Sequence, residues 1–192
     1  MKKLLFAIIA MMFLSAVSAQ DSIVHMNFRG IPITGTIDSF SHELEKLGYK
    51  EITRETEKAY FEGMFTGEKV QLVISYTSIS STVWRVDVQF EKPTRWDELE
   101  GKYYKYKNMF ISKYGKPQYS SENFHSSVVH GEELAAVFRG YRCFYNSKFY
   151  LGNGEIYIHI QETGLSIFYD DNNGVELARE EHKNAPKANN DF

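Results

Sequence analysis

Segments in which apolar and polar residues alternate occur in both halves of the chain, and they constrain its fold more than any other feature. The alternating apolar residues are Val70, Leu72, Ile74, Val86, Val88 and Phe90 in the first half and Ile156, Ile158, Ile160, Leu165, Ile167 and Tyr169 in the second. Alternation with a period of two is typical of antiparallel strands that place one face on a core. The sequence therefore predicts antiparallel sheet in each half.

An amphipathic helix is predicted ahead of the strands in each half, because apolar residues recur there at steps of three and four. The first helix covers residues 37–47, with Thr36 as its N-cap. The second covers 96–114, where Thr94 and Asp97 form a pair similar to a capping box. Each half is therefore predicted to contain one helix and three antiparallel strands, with both helices on one face of the sheet.

Five further segments carry predictions of their own. They are a solvated loop or edge at 51–58, a strand at 118–124, a short helix within the ambiguous stretch 125–140, a polar turn at 170–174 and a short charged helix at 175–183. Trp84 and Trp96 are both predicted to lie in the core, because each sits on an apolar face.

The two halves also resemble each other in sequence. The segment Met64–Ile74 aligns with Phe149–Ile160 when one inserted residue is allowed. This similarity indicates an α+β chain built as a tandem repeat whose halves form one compact unit. The predicted organisation is a signal peptide at 1–19, a first repeat at 20–92, a second repeat at 93–175 and a polar C-terminal tail at 176–192.

The first 19 residues have the pattern of a cleavable export signal. Lys2 and Lys3 precede an apolar run from Leu4 to Leu14, and small residues follow up to Ala19. The run is shorter than the roughly 20 residues that a permanent membrane span needs. We therefore expect an exported protein, in the periplasm or outside the cell. Because no cysteine lies near the cleavage site, we expect it to have no lipid anchor.

Several motifs resemble a known group of proteins. The segment Phe28–Ile37 leads into the first helix, Trp96 begins the second, Lys113–Pro117 ends it, and Gly140–Cys143 precedes the last strands. In these features the chain resembles small exported proteins of unknown function from Gram-negative gut bacteria. Their topology is similar to the tandem repeats of β-lactamase inhibitor protein (BLIP) and to the SmpA/OmlA (BamE-like) module.

This resemblance implies a BLIP-like α+β fold and a non-enzymatic scaffold for binding or assembly. It supplies no catalytic residue. The chain departs from the inhibitor in having a single cysteine, Cys143, and so lacks its disulfides. We expect Cys143 to be a buried core residue.

No motif for catalysis, cofactor binding or metal binding is found. The sequence lacks a Gly-x-Ser-x-Gly elbow, a His-Glu-x-x-His pair and a Gly-x-Gly-x-x-Gly loop. His125 and His130 are best explained as solvated loop residues. Asp171, Asn173 and Glu180 match part of a calcium-loop template, but Tyr169 stands at its first position. We therefore predict no catalytic, cofactor-binding or metal-binding residue.

The formal net charge of −3 is spread along the sequence and does not favour nucleic acid as a partner. The leading hypothesis is a scaffold that binds a protein or envelope component through the open face of its sheet. The candidate contact residues are Arg85, Asp87, Gln89, Tyr104, Tyr157 and His159. The alternatives are binding of a small molecule or glycan through exposed aromatics such as Tyr104, and a hydrolase with an unrecognised site. The oligomeric state is left open.

Overall fold

The computed structural model describes residues 24–124, 137–138 and 143–184. In chain order the elements are β1 (Asn27–Phe28), β2 (Ile31–Pro32), α1 (Ile37–Lys46), β3 (Lys50–Glu55), β4 (Lys58–Phe65), β5 (Glu68–Tyr76), β6 (Val83–Phe90), α2 (Trp96–Tyr114), β7 (Tyr119–Phe124), β8 (Cys143–Leu151), β9 (Gly154–Gln161), β10 (Gly164–Asp171) and α3 (Asn172–Asn184). The predicted signal peptide, the histidines 125 and 130, and most of the segment 125–140 lie outside these residues.

The two predicted helices are confirmed, with one correction at an end. The side chain of Thr36 accepts a hydrogen bond from the Ser39 amide at the start of α1, as predicted. The N-cap of α2 is Arg95, which makes no side-chain cap bond, so the predicted capping box of Thr94 and Asp97 is wrong. Asp97 instead accepts hydrogen bonds from the Arg95 guanidinium, with the shorter at 2.9 Å.

The main sheet has eight antiparallel strands in the order β3-β4-β5-β6-β10-β9-β8-β7. Each helix, α1 and α2, is followed by four strands, so the prediction of three strands per half is wrong. The separate prediction of a strand at 118–124 is confirmed by β7. The charged segment that was expected to be a loop or an edge contributes the edge strand β3. The pairing of β6 with β10 joins the two halves into one sheet, with Val88 opposite Ile167.

The two aligned segments fall on the hairpins β4–β5 and β8–β9. Thr66 and Gly67 connect β4 to β5 with φ values of 49° and 84°. Positive φ at both central residues is the requirement of a tight hairpin turn, and it is met without strain by glycine.

One apolar core lies between the sheet and the helices α1 and α2, and it draws residues from both halves. Phe28 of β1 is fully buried where the halves meet. Its ring stacks on Phe65 of β4 at 5.9 Å and meets the edge of Tyr169 of β10 at 5.3 Å. Aromatic pairs in these geometries add to the stability that area burial provides.

The third helix, α3, begins directly where β10 ends, so the predicted polar turn at 170–174 is absent and the helix starts earlier than residue 175. The buried Asp171 carboxylate accepts hydrogen bonds from the amides of Gly174 at 2.8 Å and Met26 at 2.7 Å. Near the other end of α3, the Glu181 carboxylate accepts a bond from the Ile79 amide at 2.7 Å. The helix is therefore docked at both ends.

Trp84 packs against this helix rather than in the core. It is half-buried beside a β-bulge, and a Cβ on Gly174 would lie 2.6 Å from its Cβ. Trp96, by contrast, is buried as predicted. No helix within the described ranges combines the length and apolar composition that crossing a bilayer requires.

Candidate functional site

The main sheet has one face covered by α1 and α2 and one face turned away from them, which we call the open face. On β6 the buried side chains of Val86, Val88 and Phe90 point toward the helices. The side chains of the intervening residues, Arg85, Asp87 and Gln89, therefore lie on the open face. The strand register continues this assignment across the sheet, because residues directly opposite each other share a face.

Five of the six predicted contact residues lie together on the open face. They are Arg85, Asp87 and Gln89 on β6, and Tyr157 and His159 on β9. Strand β10 lies between these two strands and contributes Phe168, which is opposite both Asp87 and Tyr157.

Tyr104 does not join this group, because it lies on α2 on the other side of the sheet. Its ring contacts Tyr103 at 5.3 Å, and its hydroxyl donates to the Glu122 carboxylate at 3.2 Å. Burial and the negative charge of Glu122 raise the pKa of Tyr104 to about 12. The helical spacing correctly separated Tyr104 from the core stripe, but this half-buried side chain belongs to a polar cluster beside the core.

A row of stacked rings and cations crosses the centre of the open face. Phe168 stacks on Tyr157 at 5.9 Å, and Tyr157 stacks on His159 at 5.2 Å. The Arg85 guanidinium lies 5.2 Å from the centre of the Phe168 ring, and the Lys148 ammonium lies 4.8 Å from that of Tyr157. These contacts restrict the orientations of the Phe168 and Tyr157 rings.

Both cations in this row are paired with carboxylates on the same face. Arg85 donates two hydrogen bonds to Asp170, from Nε at 2.6 Å and from Nη2 at 2.5 Å. Lys148 donates to Glu155 at 3.4 Å. Burial lowers the pKa of His159, so its ring is neutral at neutral pH. The row therefore carries no net charge of its own.

At the centre of this face, Asp87 has no ion-pair partner among the described residues. Its side chain is only 7% exposed. Burial raises its pKa to about 6, against the opposing effects of a hydrogen bond from Gln89 and the charge of Arg85. Gln89 donates to Oδ2 at 2.5 Å, whereas Oδ1 is buried and accepts no hydrogen bond from the described residues.

Exposed apolar side chains lie at both ends of the open face. They are Ile52 and Met64 at the β3–β4 end, and Tyr119, Phe144 and Tyr150 at the β7–β8 end. Their exposed fractions lie between 43% for Phe144 and 53% for Tyr150. Apolar side chains at this exposure, grouped on one face, are typical of interaction surfaces.

Two grooves open onto the same face. One of about 690 Å³ lies between Ile52, Met64, Gln71 and Gln89. The other, of about 850 Å³, lies between α3 and the sheet and is bordered by Trp84, Arg85, Asp170 and Arg179. Both fall within the size range of ligand sites.

The sequence reasoning missed several residues of the open face. Lys148 and Phe168 belong to the central row, Asp170 pairs with its Arg85, and Phe144 is exposed on the same face at the start of β8. The sequence did indicate that Phe168 and Asp170 lie on the polar face of their strand, since they alternate with Ile167 and Tyr169. It did not indicate their position beside β6, because that position depends on the pairing of β10 with β6.

The described residues contain no group of three or more His, Cys, Asp or Glu that would hold a metal ion. Cys143 is half-buried at the start of β8, not fully buried, and burial raises the pKa of its thiol to about 11. A thiol with such a pKa is protonated at neutral pH and a poor nucleophile. A scan of protein-family models and searches of curated proteins and of solved structures each found no match.

Proposed function

We propose that this chain is an exported, non-enzymatic scaffold that binds a partner protein or an envelope component through the open face of its sheet. The observation that carries the proposal is the grouping of exposed apolar side chains at both ends of that face, around a row of stacked rings and cations. Tyr, Met, Phe and Arg are the residue types enriched in protein interfaces.

The rigidity of the central row supports the same proposal. Side chains that are already held by stacking and ion pairs lose little conformational freedom when a partner binds. Phe168 and Tyr157 are held in this way by Arg85 and Lys148. The exposed ends then supply the apolar area that a partner would cover.

The proposal includes the tandem origin of the two halves and the BLIP-like architecture. The order of elements supports this part of the proposal, since each half of the chain contains a helix followed by four strands. It also includes export, which the Lys-apolar-small pattern of residues 1–19 supports. Mass spectrometry of protein secreted by the expressing cell should find Gln20 as the first residue, and an intact Met1 would contradict export by cleavage.

A photo-crosslinking amino acid at matched positions tests the binding face. Phe144 on the open face and Met109 on α2 are 43% and 44% exposed. With envelope extract, we expect the probe at position 144 to crosslink one defined protein species, and the probe at 109 to give none. The additional substitution Tyr157→Ala should abolish that crosslink. Equal crosslinking from both positions, or none from 144, would contradict the proposal.

A second candidate function is binding of a small molecule or glycan. The groove of about 690 Å³ beside Met64 and Gln89 favours it by its size. A glycan array and a thermal-shift panel test this candidate. A ligand that raises the melting temperature of the wild type but not of Gln89→Ala would support it, and an absence of hits in both assays would contradict it.

A further inference from the structure

The charges at the centre of the open face are balanced except at Asp87. Arg85 is paired with Asp170, and Lys148 is paired with Glu155. Asp87 has only neutral donors among the described residues, the Gln89 amide at 2.5 Å and the Ser166 hydroxyl. Its Oδ1 is buried without a donor from the described residues. A buried carboxylate left in this state carries a substantial free-energy cost.

The residues directly opposite Asp87 on the adjoining strands carry no charge that could pair with it. It lies between Val73 of β5 and Phe168 of β10 in the strand register. The hydroxyl of Ser166 favours its charged form, and the charge of Asp170 opposes it. The other titratable or charged groups on the open face of β6 and of the strands near it are Lys69 on β5, Lys58, Tyr60 and Glu62 on β4, Arg85 on β6, and Glu155, Tyr157 and His159 on β9.

We propose that Asp87 is the point on the open face that recognises a cationic side chain, a lysine or an arginine, of the partner protein. This inference rests on the proposed function. A cation in place of the Gln89 amide would donate to the carboxylate and neutralise its charge at the same time. A neutral donor, such as a sugar hydroxyl, would leave the charge uncompensated.

To reach Asp87, a cation would take the place of the Gln89 amide, which bonds to Oδ2. Gln89 is two residues away on the same strand and reaches Asp87 from the open face. A lysine or arginine that displaces this amide exchanges a neutral hydrogen bond for a charge-assisted one, which is roughly twice as strong. Arg85 lies two residues away on the other side and stays with Asp170, to which it donates both of its hydrogen bonds.

Peptide display against the mature protein tests the inference without knowledge of the natural partner. Peptides selected at pH 7.5 are measured for affinity by calorimetry against wild type, Asp87→Asn and the control Glu62→Gln. Glu62 is an exposed carboxylate on the same face of β4. We expect the selected peptides to contain a lysine or arginine whose replacement by glutamine weakens binding about tenfold or more.

Asp87→Asn should weaken binding by a similar factor, and the two changes together should weaken it no further than either alone. Glu62→Gln should leave the affinity within about twofold. Binding to the wild type should also weaken about tenfold between pH 7 and pH 5, as Asp87 is protonated. Circular dichroism of Asp87→Asn confirms that the variant is folded, since removal of the buried charge is expected to stabilise it.

The outcomes separate this inference from the proposed function. Peptides that lose binding on Tyr157→Ala but are indifferent to Asp87→Asn overturn the cationic recognition and leave the binding face intact. Peptides that are indifferent to both substitutions, or a selection that yields no binder, count against both proposals.

Discussion

The covered face and the open face of the sheet are made by alternate residues of the same strands, yet their chemistry is opposite. On β8, Phe149 is buried against Phe110 of α2, whereas Phe144 on the other face is 43% exposed. The covered face satisfies the rule that apolar side chains are buried and polar ones paired. The open face breaks this rule at Asp87, at the buried Asn146 Oδ1, which has no hydrogen-bond partner among the described residues, and at its exposed apolar ends. Such departures are expected at functional surfaces, where stability is traded for binding.

The largest expected effect compares the two phenylalanines of β8. Phe149→Ala should lower the free energy of unfolding by about 3–5 kcal/mol, because it leaves a cavity under α2. Phe144→Ala should change it by no more than about 0.5–1 kcal/mol, since a half-exposed ring loses little burial. Urea denaturation followed by circular dichroism measures both values. Equal losses would show that the open face also contributes to the stabilising core.

Asp87→Asn tests the electrostatic difference between the faces. The pKa of Asp87 is raised from its usual 3.8 to about 6, so ionisation above that pH costs the folded state stability. The variant should therefore be more stable than the wild type at pH 8 by about 2–3 kcal/mol, from roughly 1.4 kcal/mol per pKa unit. The advantage should shrink as the pH falls from about 6 to 4 and vanish below, where the aspartic acid is neutral in both states.

The measurement is the free energy of unfolding of both proteins in urea at a series of pH values. Glu62→Gln, which removes an exposed carboxylate from the same face, is the control and should follow the wild-type profile. An Asp87→Asn profile parallel to that of the wild type would refute the special ionisation of Asp87.

The helix α3 borders the open face at one end, and its contact depends on Gly174. A Cβ at this position would lie 2.6 Å from the Trp84 Cβ and 2.9 Å from its Cα. Gly174→Ala should therefore cost about 1–3 kcal/mol through overpacking. Gly101→Ala on α2 has open space around its Cβ and should instead stabilise by about 0.5–1 kcal/mol. Thermal unfolding of both variants checks the contrast in sign.

The smallest effect is expected at Arg85. Arg85→Lys retains the charge but loses the two parallel hydrogen bonds to Asp170, and should cost about 0.5–1 kcal/mol at low salt. The matched control is Arg179→Lys. Because the pair of Arg179 with Glu176 is solvent-exposed, this substitution should leave the free energy of unfolding unchanged. If Arg85→Lys also leaves the free energy of unfolding unchanged, the ion pair does not stabilise the protein.

Much of the fold followed from local pattern. The helices α1 and α2 and the strands β5, β6, β9 and β10 were predicted, because their apolar spacing matches the period of each structure. The edge strand β3 was not distinguished from a loop, since neither of its faces is buried. The start of α3 was missed because its N-terminal bond comes from Asp171, and a strand running directly into a helix leaves no turn signal.

The candidate face was predicted in part for the same reason. Alternation along β6 and β9 was enough to place Arg85, Asp87, Gln89, Tyr157 and His159 on polar faces. Tyr104 was grouped with them only because it lies off the apolar stripe of its helix, and spacing along a helix does not show what lies beside it. Its neighbours Tyr103 and Glu122 are brought together by the packing of α2 on the sheet.

By itself, the sequence determined which side of each element is apolar, because alternation and helical spacing are local properties of the chain. It therefore determined the α+β class, the antiparallel strands and the two faces of each strand. Only the tertiary structure decided that β6 pairs with β10 and that eight strands form one sheet. Strand order depends on contacts between residues far apart in sequence, which no local pattern encodes. That pairing places Phe168 beside Asp87 and so creates the open face as a single surface.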